Sequence, residues 1–174
     1  NSSQKKNIKF IILRYFNVAG ADKNKRSGPI IKNSNNLIKV LCEVATKKKD
    51  KVIINGVDYK TKDGTPIRDF IHVSDLADIH IIAAEHINKD GESGIYNCGY
   101  GVGYSVKEVI SEMENITKSK ISCEPGKRRD GDIPFSVSDN LKFKSKFNWS
   151  PKHNNLNLIL KSALDWEIAL DNEH

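Results

Sequence analysis

Arginine is scarce in this 174-residue chain: only Arg14, Arg26, Arg68, Arg128 and Arg129 stand among 28 cations, the rest being lysine. A planar guanidinium suits a two-pronged grip on phosphate, whereas lysine would serve for solubility alone. Arg128-Arg129-Asp130-Gly131-Asp132 sets two guanidiniums and two carboxylates around one glycine, between Pro125-Gly126 and Pro134. Arg68-Asp69 follows the turn-forming Asp63-Gly64-Thr65-Pro66. Taken singly, the first reads as a solvated charge run and the second as a loop ion pair worth about 0 to 1 kcal/mol. Taken together, they offer convergent binders for phosphate and hydroxyl groups.

Other chemistries lack their residues. No G-x-S-x-G nucleophile turn occurs, and His72, His80, His86, His153 and His174 show no helical metal-ligand pairing. Cys42, Cys98 and Cys123 are odd in number and lack a C-x-x-C pattern, which fits thiols in a reducing compartment better than disulfides or zinc. Gly99, Gly101 and Gly103 miss the G-x-G-x-x-G spacing of a dinucleotide loop, because Tyr104 and Val106 stand where the last glycine is needed. That run reads as a tight turn.

The elements that must position these residues alternate between strand and helix. Ile8 to Tyr15 is nearly continuous apolar, as a parallel strand buried on both faces would be, and Asn17 stands at its carboxyl end, where open α/β sheets place ligands. Helices are predicted over 36–48, 75–87 behind a Ser74 cap, 105–117 behind a Ser105/Glu108 capping box, and 155–170, with a small one from Asp139. Short strands are predicted at 52–54, 70–73, 95–98, 121–123 and 135–137. The alternation argues an α/β fold.

The chain carries a formal charge of +6, with 38% hydrophobic residues. Apart from the run Lys47-Lys48-Lys49-Asp50-Lys51, its lysines are dispersed, as on a solvated surface, without interleaved aromatics, so the composition argues against a nucleic-acid partner. No apolar run approaches the roughly 20 residues that span a bilayer, which argues against a membrane partner, and the cytoplasm is the expected location. The polar, non-Met start at Asn1 leads to the expectation that these residues belong to a longer protein.

Five motifs then carry a resemblance: Arg14-Tyr15-Phe16-Asn17-Val18-Ala19-Gly20-Ala21; Gly56-Val57-Asp58-Tyr59 with Asp63-Gly64-Thr65; Arg68-Asp69-Phe70-Ile71-His72-Val73-Ser74-Asp75; Tyr96-Asn97-Cys98-Gly99 with Gly101 to Val106; and Arg128 to Asp132. In order and spacing they resemble the carboxyl-terminal half of the UDP-glucose 4-epimerase family of extended short-chain dehydrogenase/reductases. The resemblance implies the last part of a Rossmann-type parallel sheet, over residues 1–21, and a small α/β substrate-binding domain, mainly 22–174, with about 68–90 returning to the Rossmann domain. It implies NAD as cofactor, a UDP-hexose substrate, oxidation and re-reduction at C4 of the sugar, and a homodimer when full length. That family's base is a Tyr-x-x-x-Lys pair, and none of the five tyrosines here has lysine four places on. The resemblance therefore places the catalytic pair and the dinucleotide loop upstream, and this chain alone is expected to be inactive.

By the same resemblance, Tyr15 and Phe16 would approach the nicotinamide end of NAD. Asn17 and Asn36, with the backbone of Leu37, would hold the sugar diphosphate. Ile53, Ile54 and Asn55 would pair with uracil through backbone groups, Arg68 and Arg129 would clamp the diphosphate, and Asp132 would accept from ribose hydroxyls. Ser136 would border the hexose, leaving room for a 2-acetamido group. Two further readings stand beside this one: another nucleotide-sugar epimerase or dehydratase of the superfamily, and a non-catalytic nucleotide-sugar-binding module.

Overall fold

The structure, a computed structural model, describes residues 8–31 and 33–172. Strand β1 (Ile11–Tyr15) breaks at Phe16 and continues as β2 (Asn17–Ala19). Helix α1 (Leu37–Ala45), β3 (Val52–Asn55), β4 (Ile67–His72) and α2 (Val73–Asn88) follow. Next come β5 (Gly94–Cys98), β6 (Gly103–Ser105), α3 (Val106–Thr117), β7 (Cys123–Gly126), β8 (Phe135–Ser136), α4 (Leu141–Phe147) and α5 (Leu156–Asn172).

The break at Phe16 is the hinge of the topology. Before it, β1 pairs in parallel with β5, Ile11 opposite Gly94 and Tyr15 opposite Cys98. After it, β2 pairs in parallel with β4, Asn17 opposite Phe70. One extended run thus serves two sheets, and Asn17 opens the second strand instead of tipping the first, because residues 17–19 find backbone partners on β4. Strand β4 also takes β6 antiparallel and β8 parallel, while β3 and β7 form a separate parallel pair.

Burial along β1 departs from the sequence expectation of two covered faces. Ile11 and Leu13 pack against the core, whereas Phe10 and Ile12 are exposed, as is Ile95, which sits opposite Ile12 on β5. Successive side chains of a strand point to opposite faces, and here only one face is covered.

Local chemistry explains the helix starts. Asn36 caps α1, its Oδ1 accepting from the N–H groups of Ile38 and Lys39. Ser105 and Glu108 form the expected capping box on α3. The α2 cap differs from the sequence reading: His72, not Ser74, is the cap, and its Nδ1 accepts from the Ser74 N–H at 3.1 Å. Strand β7 runs through Pro125, opposite Ile54, which is tolerated because β7 has β3 as its only partner among the described strands.

The core joins these pieces. Leu41 of α1, Ile71 of β4, Ile79 of α2, Val109 and Met113 of α3, and Ile159 and Leu160 of α5 are all essentially solvent-free. An aromatic cluster of Tyr96, Phe143, Phe147 and Trp149 fastens α4 to β5.

Candidate functional site

A cleft of about 520 Å³ lies between the amino-terminal end of α1, β3 and the outer face of β4. Of the residues singled out from the sequence, Asn17, Asn36, Leu37, Ile53, Asn55, Arg68 and Arg129 line it. A shallower recess of about 490 Å³, sharing Asn17 with the cleft, is lined by Tyr15, Phe16 and Ser136 with Arg14 and Asn97. Residues spread over 120 positions of sequence therefore meet along one surface.

The two arginines converge on one carboxylate. Arg129 Nε donates to Asp132 Oδ2 at 2.9 Å, and Arg68 Nη2 lies 3.6 Å from Asp132 Oδ1. Arg68 is held well inside, its side chain 14% exposed, and its Nη1 donates to the Ile67 carbonyl at 2.9 Å. Two guanidiniums around a single anion form a ready-made site for a larger one, since charge-assisted bonds to phosphate are about twice as strong as neutral ones.

Backbone groups complete the cleft. The N–H groups of Val52 and Gly56 are spent on β7, donating to the carbonyls of Ser122 and Gly126. In a parallel strand alternate residues turn their peptide groups to alternate sides, so those of Ile53 and Asn55 face the open edge of β3. Ile54 is a correction to the sequence expectation: its peptide faces β7 and its side chain lies in the core. At the opposite end, α1 presents its first turn. Asn36 Oδ1 takes the N–H groups of Ile38 and Lys39, and the positive end of the helix dipole still favours an anion beside this first turn.

Arg128, adjacent in sequence to Arg129, points elsewhere. Its Nε donates to Asp58 Oδ1 at 2.8 Å and its guanidinium sits 4.2 Å above the Tyr59 ring. The hydrogen bond from Arg128 holds the Asp58 carboxyl below its usual range. Asp69 does not pair with the neighbouring Arg68, as the sequence had suggested, but turns inward to full burial. The Gly99–Gly103 run forms a turn whose Tyr100 and Gly101 N–H groups are bound to Asp69.

Lys49, Lys51 and Asn97 were not singled out from the sequence, yet Lys49 and Lys51 line the cleft and Asn97 the recess. Lys49 pairs with Glu43 at 2.7 Å and Lys51 with Glu124 at 2.8 Å. The run Lys47-Lys48-Lys49-Asp50-Lys51 was the available signal; it reads as a solvated surface until β3 turns it toward the cleft. Among the described residues, no three His, Cys, Asp or Glu side chains gather as metal ligands. No helix among them is long and apolar enough to cross a membrane.

Behind the cleft, a buried network fixes the end of β4. Asp75 accepts from Tyr100 Oη at 2.7 Å, His153 Nδ1 at 2.7 Å and the His153 N–H at 2.9 Å. Burial works to raise the Asp75 pKa, but these hydrogen bonds outweigh it and hold the carboxyl below its usual range. The His72 ring stacks on that of His153 at 4.6 Å, and burial, then the neighbouring His153, lowers the His72 pKa to about 4. Because His72 Nδ1 accepts from Ser74, its Nε2 carries the proton and donates to Ser162 Oγ at 3.1 Å.

Comparison with known proteins places this geometry in a family. Residues 1–99 match the model of the NAD dependent epimerase/dehydratase family. The chain is 43% identical over 164 residues to a UDP-glucose 4-epimerase of Azospirillum brasilense, covering 94% of this chain and 47% of that protein. It is 42% identical over 159 residues to one of Halalkalibacterium halodurans, covering 91% and 48%. A UDP-glucose-4-epimerase structure from Stenotrophomonas maltophila, with bound NAD and formylated UDP-arabinopyranose, superposes with a TM-score of 0.92 at 31% identity, covering 97% of this chain and 50% of that one. The UDP-Glc/GlcNAc 4-epimerase of Campylobacter jejuni is 46% identical with a TM-score of 0.75, covering 92% and 49%. This chain spans about half the length of the curated relatives it matches. The α/β fold and the five motifs thus have a common origin: the chain belongs to the NAD dependent epimerase/dehydratase family.

Proposed function

We propose that this chain is the substrate-gripping, carboxyl-terminal half of an NAD-dependent UDP-hexose 4-epimerase. The observation that carries the reading is the meeting of Asn17, Arg68 and Arg129 on one cleft, with the free edge of β3 on one side and the first turn of α1 on the other. Uracil pairs with the backbone groups of Ile53 and Asn55. The diphosphate takes Arg68 and Arg129 from Asp132, and the released carboxylate accepts from ribose hydroxyls, which are donors that a free carboxylate binds well. The Leu37 N–H and the amide of Asn17 hold the remaining phosphate oxygens.

The hexose then lies toward the recess, against Asn97 and Ser136, with Tyr15 and Phe16 opposite. NAD supplies the acceptor and donor of hydride when bound. The residues present fit only one end of it: Tyr15 and Phe16 offer aromatic surface in the recess, while the one glycine-rich turn has spent Tyr100 and Gly101 N–H groups on Asp69. The base and the dinucleotide loop come from the remainder of the protein in this reading. The small Ser136 side chain leaves space beside the hexose for a 2-acetamido group, so UDP-GlcNAc and UDP-GalNAc are substrates along with UDP-Glc and UDP-Gal.

Calorimetry with UDP and then UDP-hexoses, alongside a coupled assay of UDP-galactose turnover by the protein expressed from its full gene, tests the proposal. UDP binding with epimerisation is the expected result. A protein that binds no UDP, or that converts UDP-hexoses without inverting C4, refutes it.

A further inference from the structure

Asp69 is a buried ionisable group that the proposed binding scheme leaves unused. It is 0% exposed, and a carboxylate removed from water needs full compensation by hydrogen bonds. It has three, all from peptide N–H groups: Tyr100 to Oδ1 at 3.0 Å, Gly101 to Oδ2 at 2.9 Å, and Ser138 to Oδ2 at 3.1 Å. The approach is so close that a Cβ on Gly99 would stand 2.6 Å from Oδ2. Asn140 braces the same turn from behind, its Nδ2 donating to the Gly99 carbonyl at 2.6 Å.

The two segments clamped by Asp69 lead directly into the recess. Asn97 lies two residues before Gly99, and its Nδ2 donates to the Asp139 carbonyl at 3.1 Å. Ser136 lies two residues before Ser138 and stands in register with Arg68 on the neighbouring strand. Arg68 and Asp69 are consecutive on β4 and so point to opposite faces. One faces the cleft, and the other holds the wall that carries Asn97 and Ser136.

We infer that Asp69 is a positioning residue for substrate specificity: it sets the distance between the Asn97/Ser136 wall and the Arg68 clamp, and with it which hexoses are turned over. The inference rests on the proposed function. Loosening the clamp moves the wall against the sugar while leaving uracil and diphosphate contacts in place.

Asp69→Asn in the protein expressed from its full gene tests this. An amide keeps the volume, but its NH2 cannot accept from two of the three N–H groups, or from one, depending on its orientation. Four quantities are read: the Kd for UDP, kcat and KM for UDP-Glc and UDP-GlcNAc, and Tm. The expected result is a UDP Kd within about threefold of wild type, with the ratio of kcat/KM for the two sugars shifted about tenfold, the scale of one lost charge-assisted hydrogen bond. That ratio does not depend on the fraction of folded enzyme, so a purely structural role leaves it unchanged. Asn140→Ala, which loosens the turn and leaves the carboxylate in place, should shift the ratio in the same direction by less, and it decides the matter if Asp69→Asn does not fold. An unchanged ratio in the folded variants, with kcat and Tm lowered, overturns the inference and leaves the binding scheme intact. Wild-type protein that binds no UDP overturns the scheme, and the inference falls with it.

Discussion

The adjacent arginines give the sharpest test of the binding scheme, because the structure assigns them opposite consequences. Arg129 lines the cleft and, among the described residues, is held by Asp132 alone, a partner the diphosphate would displace. Arg128 is committed to Asp58 and to the Tyr59 ring, and does not line the cleft. Replacing Arg129 by Ala removes a charge-assisted hydrogen bond worth about 1.5 to 3 kcal/mol. Its side chain is 52% exposed, so the lower figure applies, and UDP affinity should fall by about tenfold. Arg68 is far less exposed, and Arg68→Ala should approach the upper figure, about a hundredfold. Arg128→Ala should leave UDP affinity unchanged and cost a little thermal stability as loop 57–65 loses its anchor. Calorimetric titration with UDP at one fixed salt concentration, on protein from the full gene, reads all three. If Arg128→Ala weakens UDP as much as Arg129→Ala, or if neither Arg129→Ala nor Arg68→Ala has an effect, the placement of the diphosphate is wrong.

Three further outcomes follow from particular residues. Ser136→Tyr should cut turnover of UDP-GlcNAc and UDP-GalNAc while sparing UDP-Glc and UDP-Gal; equal loss on both pairs in a steady-state assay contradicts the steric role. Gly20 has φ +81°, and a Cβ there would stand 2.6 Å from the His72 ring, so Gly20→Ala should cost about 2 to 4 kcal/mol in denaturant unfolding, with no change in slope. Stability should also fall with acid because of His72. Its native pKa of about 4 lies below the ordinary 6.5, so the unfolded state binds a proton first, and stability present above pH 6.5 is lost progressively down to about pH 4. That loss is about 3 kcal/mol at most. The facing groups His153, Asp75 and Tyr100 remain in the His72→Asn variant, whose unfolding free energy should be flatter over this window; an unchanged slope refutes the assignment to His72.

Much of the fold was legible because its signals are local. Ser105 and Glu108 cap α3 through contacts three residues apart, and the apolar spacing of α5 reports the face it buries. The errors fell where a distant partner decided. His72 took the α2 cap because the Nδ1 of a buried ring reaches the Ser74 N–H. Residues 17–19 became a strand because β4 lay alongside. Phe10 and Ile12 proved exposed because a run of apolar residues states what burial would favour, not which elements are present to provide it.

The site divides along the same line. Residue types and order, with arginines scarce against a lysine background, an asparagine after an apolar run and a glycine among paired charges, marked the candidate site from the sequence alone, and the alternation of strand and helix set α/β as the frame. How Arg128 comes to anchor the 57–65 loop, why Asp69 turns inward, why Ile54 is spent on β7, and how Lys49 comes to face the cleft were decided only by the tertiary structure. Neighbouring side chains on an extended strand point to opposite faces, and only the packing around the strand determines which face holds the ligand.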